Sequence, residues 1–453
     1  MRKQAESRRP KRRPMQRRGR GRVAIPTWSG RYRTGMDFGY QEGLRTGQNS
    51  FGTYFEGTSI IIPNYNQVEY LKLCITSISK FTHPPYEIIV VDNASTDGAA
   101  AYLATLGSAV RYRVLETNRG FAGAINVGMM MARGSYLLLL NNDTIVAENW
   151  LSNMLACLNS SPAIGMVGPV TNYISGDQRI EVPYKTVKGM PNFARQHNAP
   201  NPARWQRTDR LTGFCLLMRR EVWEKTGFMD EGFTVGNYED DDYNIRVRLQ
   251  GYSLIIARDT FIHHFGSVSM KALGERLPVV NDHNMHVYMD KWGNPHDLVH
   301  VVKGMGHESS AAGETAFFPQ HVIVRGGHET FYWIEEGIRR PIVGPVAVPA
   351  TRLSRVELRR WPVGEPISSE EAVAKWHGVT VEGLPWSEGL MGRGTDGMLY
   401  MLENGLRRRV VSSKAAEGWH LVWKPSSPLL AEQVAALPEG LPIIAPIRTA
   451  EHL

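Results

Sequence analysis

Between Thr58 and Asp143 short apolar runs alternate with stretches of helical spacing, and the three main runs each end in polar residues. TSIIIPNYN starts at Thr58, EIIVVDNAS at Glu87 and SYLLLLNND at Ser135, with a fourth, weaker run in YRVLET. Between them lie helical patterns at Glu69 to Lys80 (Leu71, Ile75 and Ile78 on one face), Gly98 to Leu106 and Ala122 to Ala132. Strands separated by helices of this length predict βαβ units and a mostly parallel sheet. Right-handed crossovers then bring the strand C-termini to one edge. Asn64, Asn66, Asp92, Asn93 and Asn141 to Asp143 all fall at that edge, where open α/β sheets bind ligands.

Further along, a helix is expected over Trp150–Leu158, then a Gly/Pro/Asn-rich stretch to about residue 208. TGFCLLMRREVWEKTGF reads as strand, turn and helix, NYEDDDYNIRVRLQGY as an acidic turn entering a helix, and SLIIARDTFIHHFGS as a strand ending in two histidines. The predicted organisation is a disordered basic tail at 1–22, a linker or arm at 23–56 and an α/β domain at 57–293. A linker at 294–320 and two small β-rich modules within 321–453 would complete it. The modules are inferred from a weak repeat: YWIEEGIRRP at 332–341 and YMLENGLRRR at 400–409 share Tyr, Glu, Gly and paired arginines at an offset of 68 residues. Each reads as strand, tight turn, strand. Arg339-Arg340 and Arg407 to Arg409 fit an anionic partner or a charged, solvated hairpin edge.

Charge looks like a clue to nucleic acid, with a net +8 over 453 residues. Its distribution removes that reading. Residues 1–22 hold nine Arg and two Lys against Glu6, so the other 431 residues carry 41 basic and 43 acidic groups. No specific nucleic-acid partner is expected; the tail suits peripheral contact with an anionic membrane surface. Cys74, Cys157 and Cys215 lack pairing or zinc spacing. No apolar run is long enough to span a bilayer, and no apolar stretch follows the charged N-terminus. A cytoplasmic location, with peripheral contact at the inner face of a membrane, is the expectation.

Three clusters carry chemistry. Asp143 ends a buried apolar strand, where an acid must be paired, act as a turn cap or hold a cation. Glu239-Asp240-Asp241-Asp242 opens a helix, so the dipole accepts part of the charge, or one carboxyl is buried and serves as a general base. His263-His264 ends a strand, as hydrogen-bonded residues or as a ligand for a Mn²⁺-type ion.

SIIIPNYN, VVDNASTDG, NRGFAGAINVGMMMARGSYLLLLNNDT, DEGF, NYEDDDYNIRVRLQGY and FIHHFGS, in that order, resemble the motifs of family 2 glycosyltransferases of GT-A fold, in the rhamnosyltransferase-like bacterial branch. The resemblance runs from about Thr58 to Gly293. It implies an α/β, Rossmann-like, mostly parallel sheet followed by the β-rich repeats, and an inverting transfer of a hexosyl or deoxyhexosyl group from a nucleotide-diphosphate sugar. The acceptor would be a glycan, a lipid-linked glycan or a protein. By the same resemblance Asp240 is the catalytic base, and Asp143 and His264 hold a divalent cation (Mn²⁺ or Mg²⁺), with His263 one residue away as the alternative. Pro63, Asn66, Asp92, Asn93, Ser95 and Asp97 would form the first nucleotide-sugar loops. Asn118, Gly120, Phe121 and Asn126 would form the second segment, with Asn142, Gly213 and Glu239 completing the site. Asn141 departs from the family's Asp-x-Asp: an amide stands where a carboxylate would, so less negative charge is offered to a metal. The rival reading is an inactive nucleotide-sugar-binding or scaffolding protein that works through its tail and repeats.

Overall fold

The structure, a computed structural model, describes residues 35, 38, 39, 52–266, 274–305, 313–326, 330–380, 387–395 and 397–450. The basic tail and its membrane contact, and most of the arm, lie outside the described residues. Packing divides the chain into residues 1–53 and one unit, Tyr54–Leu453.

That unit is built on an eight-stranded sheet. Its strands are β1 (Phe55–Asn64), β2 (Tyr86–Asp92), β3 (Arg111–Val114), β4 (Gly134–Leu140), β6 (Ile164–Val170), β7 (Trp205–Thr208), β8 (Cys215–Arg219) and β9 (Ser253–Phe261), and their order is β3-β2-β1-β4-β8-β6-β9-β7. β1, β2, β3 and β4 are parallel, β6 and β9 are parallel, and β8 and β7 run against their neighbours. The sheet is mixed and mostly parallel, as expected. A separate pair joins β5 (Thr144–Ile145) to β10 (His263–His264).

The apolar runs are continuous because both faces of these strands are covered. Successive side chains sort to opposite faces. Ile60, Ile62, Val90, Leu138 and Leu140 pack with the helices α1 (Val68–Phe81) and α4 (Trp150–Asn159). Ile61, Ile89, Leu137 and Leu139 pack on the other side with α3 (Gly120–Met131), α6 (Arg220–Thr226) and α7 (Glu239–Leu249). The shorter helices α2 (Ala99–Thr105) and α5 (Met190–His197) complete this layer structure. Cys74, Cys157 and Cys215 are buried thiols without disulfides.

The stretch read as a linker from 294 is ordered differently. After α8 (Arg276–Trp292), residues Pro295–Gly304 form α9, with Asn294 as its side-chain cap and Leu298, Val299 and Val302 buried. Apolar spacing at 298, 299 and 302 is a helical signal that the polar surroundings obscured. Ile245 and Leu249 of α7 share a core with Phe317, Trp419 and Ile443, so the C-terminal residues pack directly on the α/β part. Buried charges reinforce the junction. Arg246 meets Asp242 at 2.9 Å and Glu314 at 3.2 Å, and Glu314 meets Arg360 at 2.7 Å.

Both hairpins expected from the repeat are present. β12 (Phe331–Glu335) pairs with β13 (Ile338–Val343), and Leu399–Glu403 pairs with Leu406–Arg409, through turns with two left-handed residues each, Glu336-Gly337 and Asn404-Gly405. β11 (Val322–Arg325), β14 (Thr351–Arg352) and β15 (Ile367–Ser368) complete the first sheet. Two of the arginines are neither a free anion-binding surface nor simply solvated. Arg340 pairs with Glu335 at 2.6 Å, and Arg408, nearly buried, pairs with Glu403 at 2.6 Å and also donates to the carbonyls of Ala316, Phe318 and Leu441. Among the described residues no helix is long and apolar enough to cross a membrane.

Candidate active site

At the C-terminal edge of the parallel strands lies a cavity of about 1090 Å³. Of the residues expected at a site, it is lined by Pro63, Asn93, Asn118, Gly120 and Phe121 on one side. Asn142, Asp143, Gly213, Glu239, Asp240 and His264 complete the wall. Asn66, Asp92, Ser95, Asp97 and Asn126 do not line it.

Those five residues shape the loops. Asp92 Oδ1 accepts from Asn64 Nδ2 at 2.9 Å and Ser95 Oγ at 2.5 Å, and Asn64 Oδ1 accepts from Asn142 Nδ2 at 2.7 Å. The ends of β1, β2 and β4 are thereby tied side chain to side chain. Asn66 Oδ1 receives the Thr96 N–H, while Asp97 accepts from the Val68 N–H and the Ala99 N–H and so caps two helices. Asn93 binds Asn118, the Gly120 carbonyl and the Arg119 N–H. Gly120 has φ +71°, and a Cβ there would approach the Val235 backbone at 3.2 Å, so the start of α3 favours glycine. Asn126 holds the Met229 backbone in both directions and touches Glu231, which pairs with Arg119 at 2.9 Å.

The strand pair β5–β10 explains which histidine faces the cavity. Successive strand side chains point to opposite faces. His264 Nε2 lies 3.1 Å from Asp143 Oδ1, while His263 meets the Tyr184 hydroxyl at 2.7 Å inside an aromatic cluster. Burial, with help from the adjacent His264, pushes the His263 imidazole down to about 4. The His264 ring stacks on Phe214 at 5.4 Å, and its Nδ1 lies 2.7 Å from the Tyr173 carbonyl. A carbonyl only accepts, so Nδ1 carries the proton there. In the neutral ring Nε2 then turns a lone pair towards the carboxylate, an arrangement that a cation between them satisfies. The donor set therefore fits a divalent ion. Among the described residues no third His, Cys, Asp or Glu joins it.

The four acids at the start of α7 are divided by their partners. Asp242 is gripped by Lys291 at 2.6 Å, Arg246 at 2.9 Å and the Trp292 indole at 2.8 Å, and these cations hold its carboxyl below the ordinary range against the opposing effect of burial. Asp241 pairs with Arg210 at 2.5 Å. Asp241 still lines the cavity beside Glu239 and Asp240, but only the latter two do so without an ion pair to a cation. Burial first, then the charge of Asp241, pushes Asp240 up to about 6, while Arg210 and the N–H groups of Gly213 and Asp241 oppose the rise. Burial and the neighbouring Asp240 raise Glu239 well above the ordinary carboxyl range, and its Oε2 has no hydrogen-bond partner.

Several lining residues were not anticipated from the sequence. Arg119, Arg210, Glu231 and the run Phe233 to Tyr238 all border the cavity. DEGF was legible as a motif, but no local pattern announces the left-handed backbone of Val235, Asn237 and Tyr238, with φ of 64°, 80° and 74°.

Residues 59–227 match the glycosyl transferase family 2 model. An uncharacterised Sinorhizobium fredii protein, y4gI, is 29% identical over 233 residues, 47% of this chain and 25% of its own length. The Streptococcus pneumoniae glycosyltransferase GlyG is 34% identical over 122 residues, 26% of this chain and 40% of its own length. The O-antigen biosynthesis protein RfbC of Myxococcus xanthus is 28% identical over 230 residues, 47% of this chain and 18% of its own length. The chain thus spans well under half the length of each of these relatives. Among solved structures, a Pyrobaculum calidifontis mannosyltransferase in complex with GDP-Man and Mn²⁺ aligns over 47% of this chain and 57% of its own, with 21% identity and a TM-score of 0.36.

Proposed function

We propose, for a chain that carries a glycosyl transferase family 2 domain at residues 59–227, that the cavity transfers a hexosyl or deoxyhexosyl group from a nucleotide-diphosphate sugar to an acceptor hydroxyl with inversion. The observation that carries this is the division of the α7 acids: two are neutralised by cations, and Asp240 is left on the cavity with its carboxyl raised to about 6. A carboxylate near that value is ionised at neutral pH and basic enough to take a proton as an oxygen nucleophile attacks.

In this reading Asp240 receives the acceptor hydroxyl proton while that oxygen bonds to the anomeric carbon and the nucleotide diphosphate leaves from the opposite face. One displacement inverts the centre. Asp143 and His264 would hold a divalent cation, which when bound neutralises charge growing on the leaving diphosphate. Two protein ligands leave coordination positions for diphosphate oxygens. Asn93, Asn118 and the backbone at Gly120 offer polar groups to the nucleotide, and the Asp92 cluster behind them keeps the loops rigid. The acceptor is a glycan, a lipid-linked glycan or a protein hydroxyl, met at the cytoplasmic side.

The test is nucleotide release by purified protein with Mn²⁺ or Mg²⁺ and a panel of nucleotide sugars, comparing wild type with Asp240→Asn. Release by wild type and its loss in the variant are expected. Silence with every donor, or an Asp240→Asn rate equal to wild type, overturns the assignment.

A further inference from the structure

The wall of the cavity between Thr234 and Tyr238 is held in a conformation that its own residues resist. Val235, Asn237 and Tyr238 all have left-handed backbone, with φ of 64°, 80° and 74°, and Val235 is β-branched. This segment runs directly into Glu239 and Asp240, since Tyr238 is the residue before α7 and its carbonyl accepts the Asp242 N–H at 2.9 Å.

One fully buried side chain supplies most of the hydrogen bonds to that backbone. Asn284, on α8, donates from Nδ2 to the carbonyls of Thr234 at 3.0 Å, Gly236 at 2.9 Å and Asn237 at 3.1 Å, and its Oδ1 accepts the Thr234 N–H at 3.0 Å. From the opposite side Val235 is held by the Phe121 N–H at 2.8 Å, and Asn281, one turn before Asn284, accepts from the Asn237 amide at 2.6 Å. Lys291 on the same helix bridges Asp230 and Asp242, each at 2.6 Å, and so fixes both ends of the segment.

We propose that Asn284 is a positioning residue for the transfer reaction: its amide locks residues 234–238 in the left-handed path that delivers Asp240 to the acceptor side of the cavity. This rests on the function proposed above. Asn284 lies beyond the family-matched span and touches neither reacting group; it acts through the backbone. Without its amide the three carbonyls and the Thr234 N–H lose their partner, and the segment relaxes towards right-handed geometry. A shift of about 1 Å in a reacting group is enough to lower a rate about 100-fold.

The experiment uses the full chain with Asn284→Ala, and Asn284→Ser as a variant that keeps a small polar group. Two readouts are made: steady-state nucleotide release with Mn²⁺ and the donor that wild type uses, and hydrogen exchange of backbone amides. The expected result is a kcat lowered by about 10- to 100-fold with donor KM within about twofold, because binding groups on β1, β2 and α3 are untouched. Exchange at 234–241 should quicken at least about tenfold while β1 and β4 keep wild-type protection. Unchanged exchange at 234–241, or loosening spread evenly over the chain in the Ser variant, overturns the proposal. So does an unchanged kcat. If wild type releases no nucleotide from any donor, the function reading fails alone, and the exchange comparison still decides whether Asn284 holds the segment.

Discussion

The Gly213 N–H donates to Asp240 Oδ2 at 2.7 Å, and a Cβ on Gly213 would stand 3.3 Å from the Asp240 Cβ. The turn two residues before β8 and the first turn of α7 thus meet backbone against carboxylate, with no room for a side chain between them. A donor here favours the ionised acid, and the other oxygen, Oδ1, spends one lone pair on the Asp241 N–H at 2.9 Å and keeps the second for a proton in transit. Gly213→Ala must push Asp240 by a few tenths of an ångström. We expect about a tenfold loss of kcat with little change in unfolding midpoint, because misplacing a reacting group costs rate before it costs stability. Steady-state kinetics beside a urea titration check this; wild-type kcat in the variant would show that Asp240 is not so tightly placed.

The same carboxyl sets the pH dependence. As the proposed base Asp240 would work only when ionised, and its carboxyl is raised to about 6. The rate should therefore be fully developed above that value and fall about tenfold per pH unit below it. Arg210 opposes the rise, so Arg210→Met should move the acid limb to higher pH. A profile flat between pH 5 and pH 8 (roughly the window around the shifted value) would remove Asp240 from the chemistry.

Metal removal gives an independent prediction. His264 is fixed by Phe214 stacking, by the Tyr173 carbonyl at Nδ1 and by Asn172, which binds its backbone N–H and carbonyl at 3.0 Å each. Replacing His264 or Asp143 by Ala should weaken Mn²⁺ binding in the presence of nucleotide diphosphate by about 10- to 100-fold. His263→Ala should not, since its ring bonds to Tyr184. Calorimetry with Mn²⁺ and a nucleoside diphosphate distinguishes the two histidines directly, and equal losses at 263 and 264 would contradict the strand geometry.

The alternation of apolar runs made the α/β half legible because the three main runs are buried on both faces and end at one edge. The candidate positions Asp143, Asp240 and His264, which the fold brings to one cavity, were legible for a similar reason: each is a polar residue where an apolar element stops. Asn284 and Lys291 were not. They sit on a helix with both polar and apolar residues around its circumference, and their meaning lies in contacts made 50 or more residues away, at Thr234 and at Asp230. The C-terminal packing was hidden likewise. Glu314, Arg246 and Arg360 read as ordinary surface charges until the fold brings them together.

That buried charge cluster predicts a stability cost. Arg246 has no exposed side-chain surface and binds Asp242, Glu314 and the carbonyls of Thr226 and Phe228. Arg246→Met leaves two carboxylates short of a cation in the interior, a change worth about 3–5 kcal/mol. Urea unfolding should show this loss in a single transition shared by probes in the α/β half and near Trp419, because Ile245 and Trp419 belong to one core. Two separated transitions in wild type would show instead that the C-terminal modules fold independently.

The two repeats allow a matched comparison of one ion pair in two environments. Glu335–Arg340 and Glu403–Arg408 occupy equivalent hairpin positions, and each closes at 2.6 Å. Their surroundings differ: the side chains are 11% and 20% exposed in the first pair, and 1% and 8% in the second. Arg340 also donates to the carbonyls of Glu365 and Pro366, but at an exposed edge where water can replace it, and Glu335 retains Lys375 at 2.8 Å if the arginine is lost. Arg408 also satisfies three backbone carbonyls, which have no comparable replacement. Arg340→Ala should therefore cost about 1 kcal/mol or less, whereas Arg408→Ala should cost about 3–5 kcal/mol. Chemical denaturation of the two variants side by side measures the difference. Equal costs would mean that burial is not what separates the repeats, and that the second arginine contributes no more than its surface counterpart.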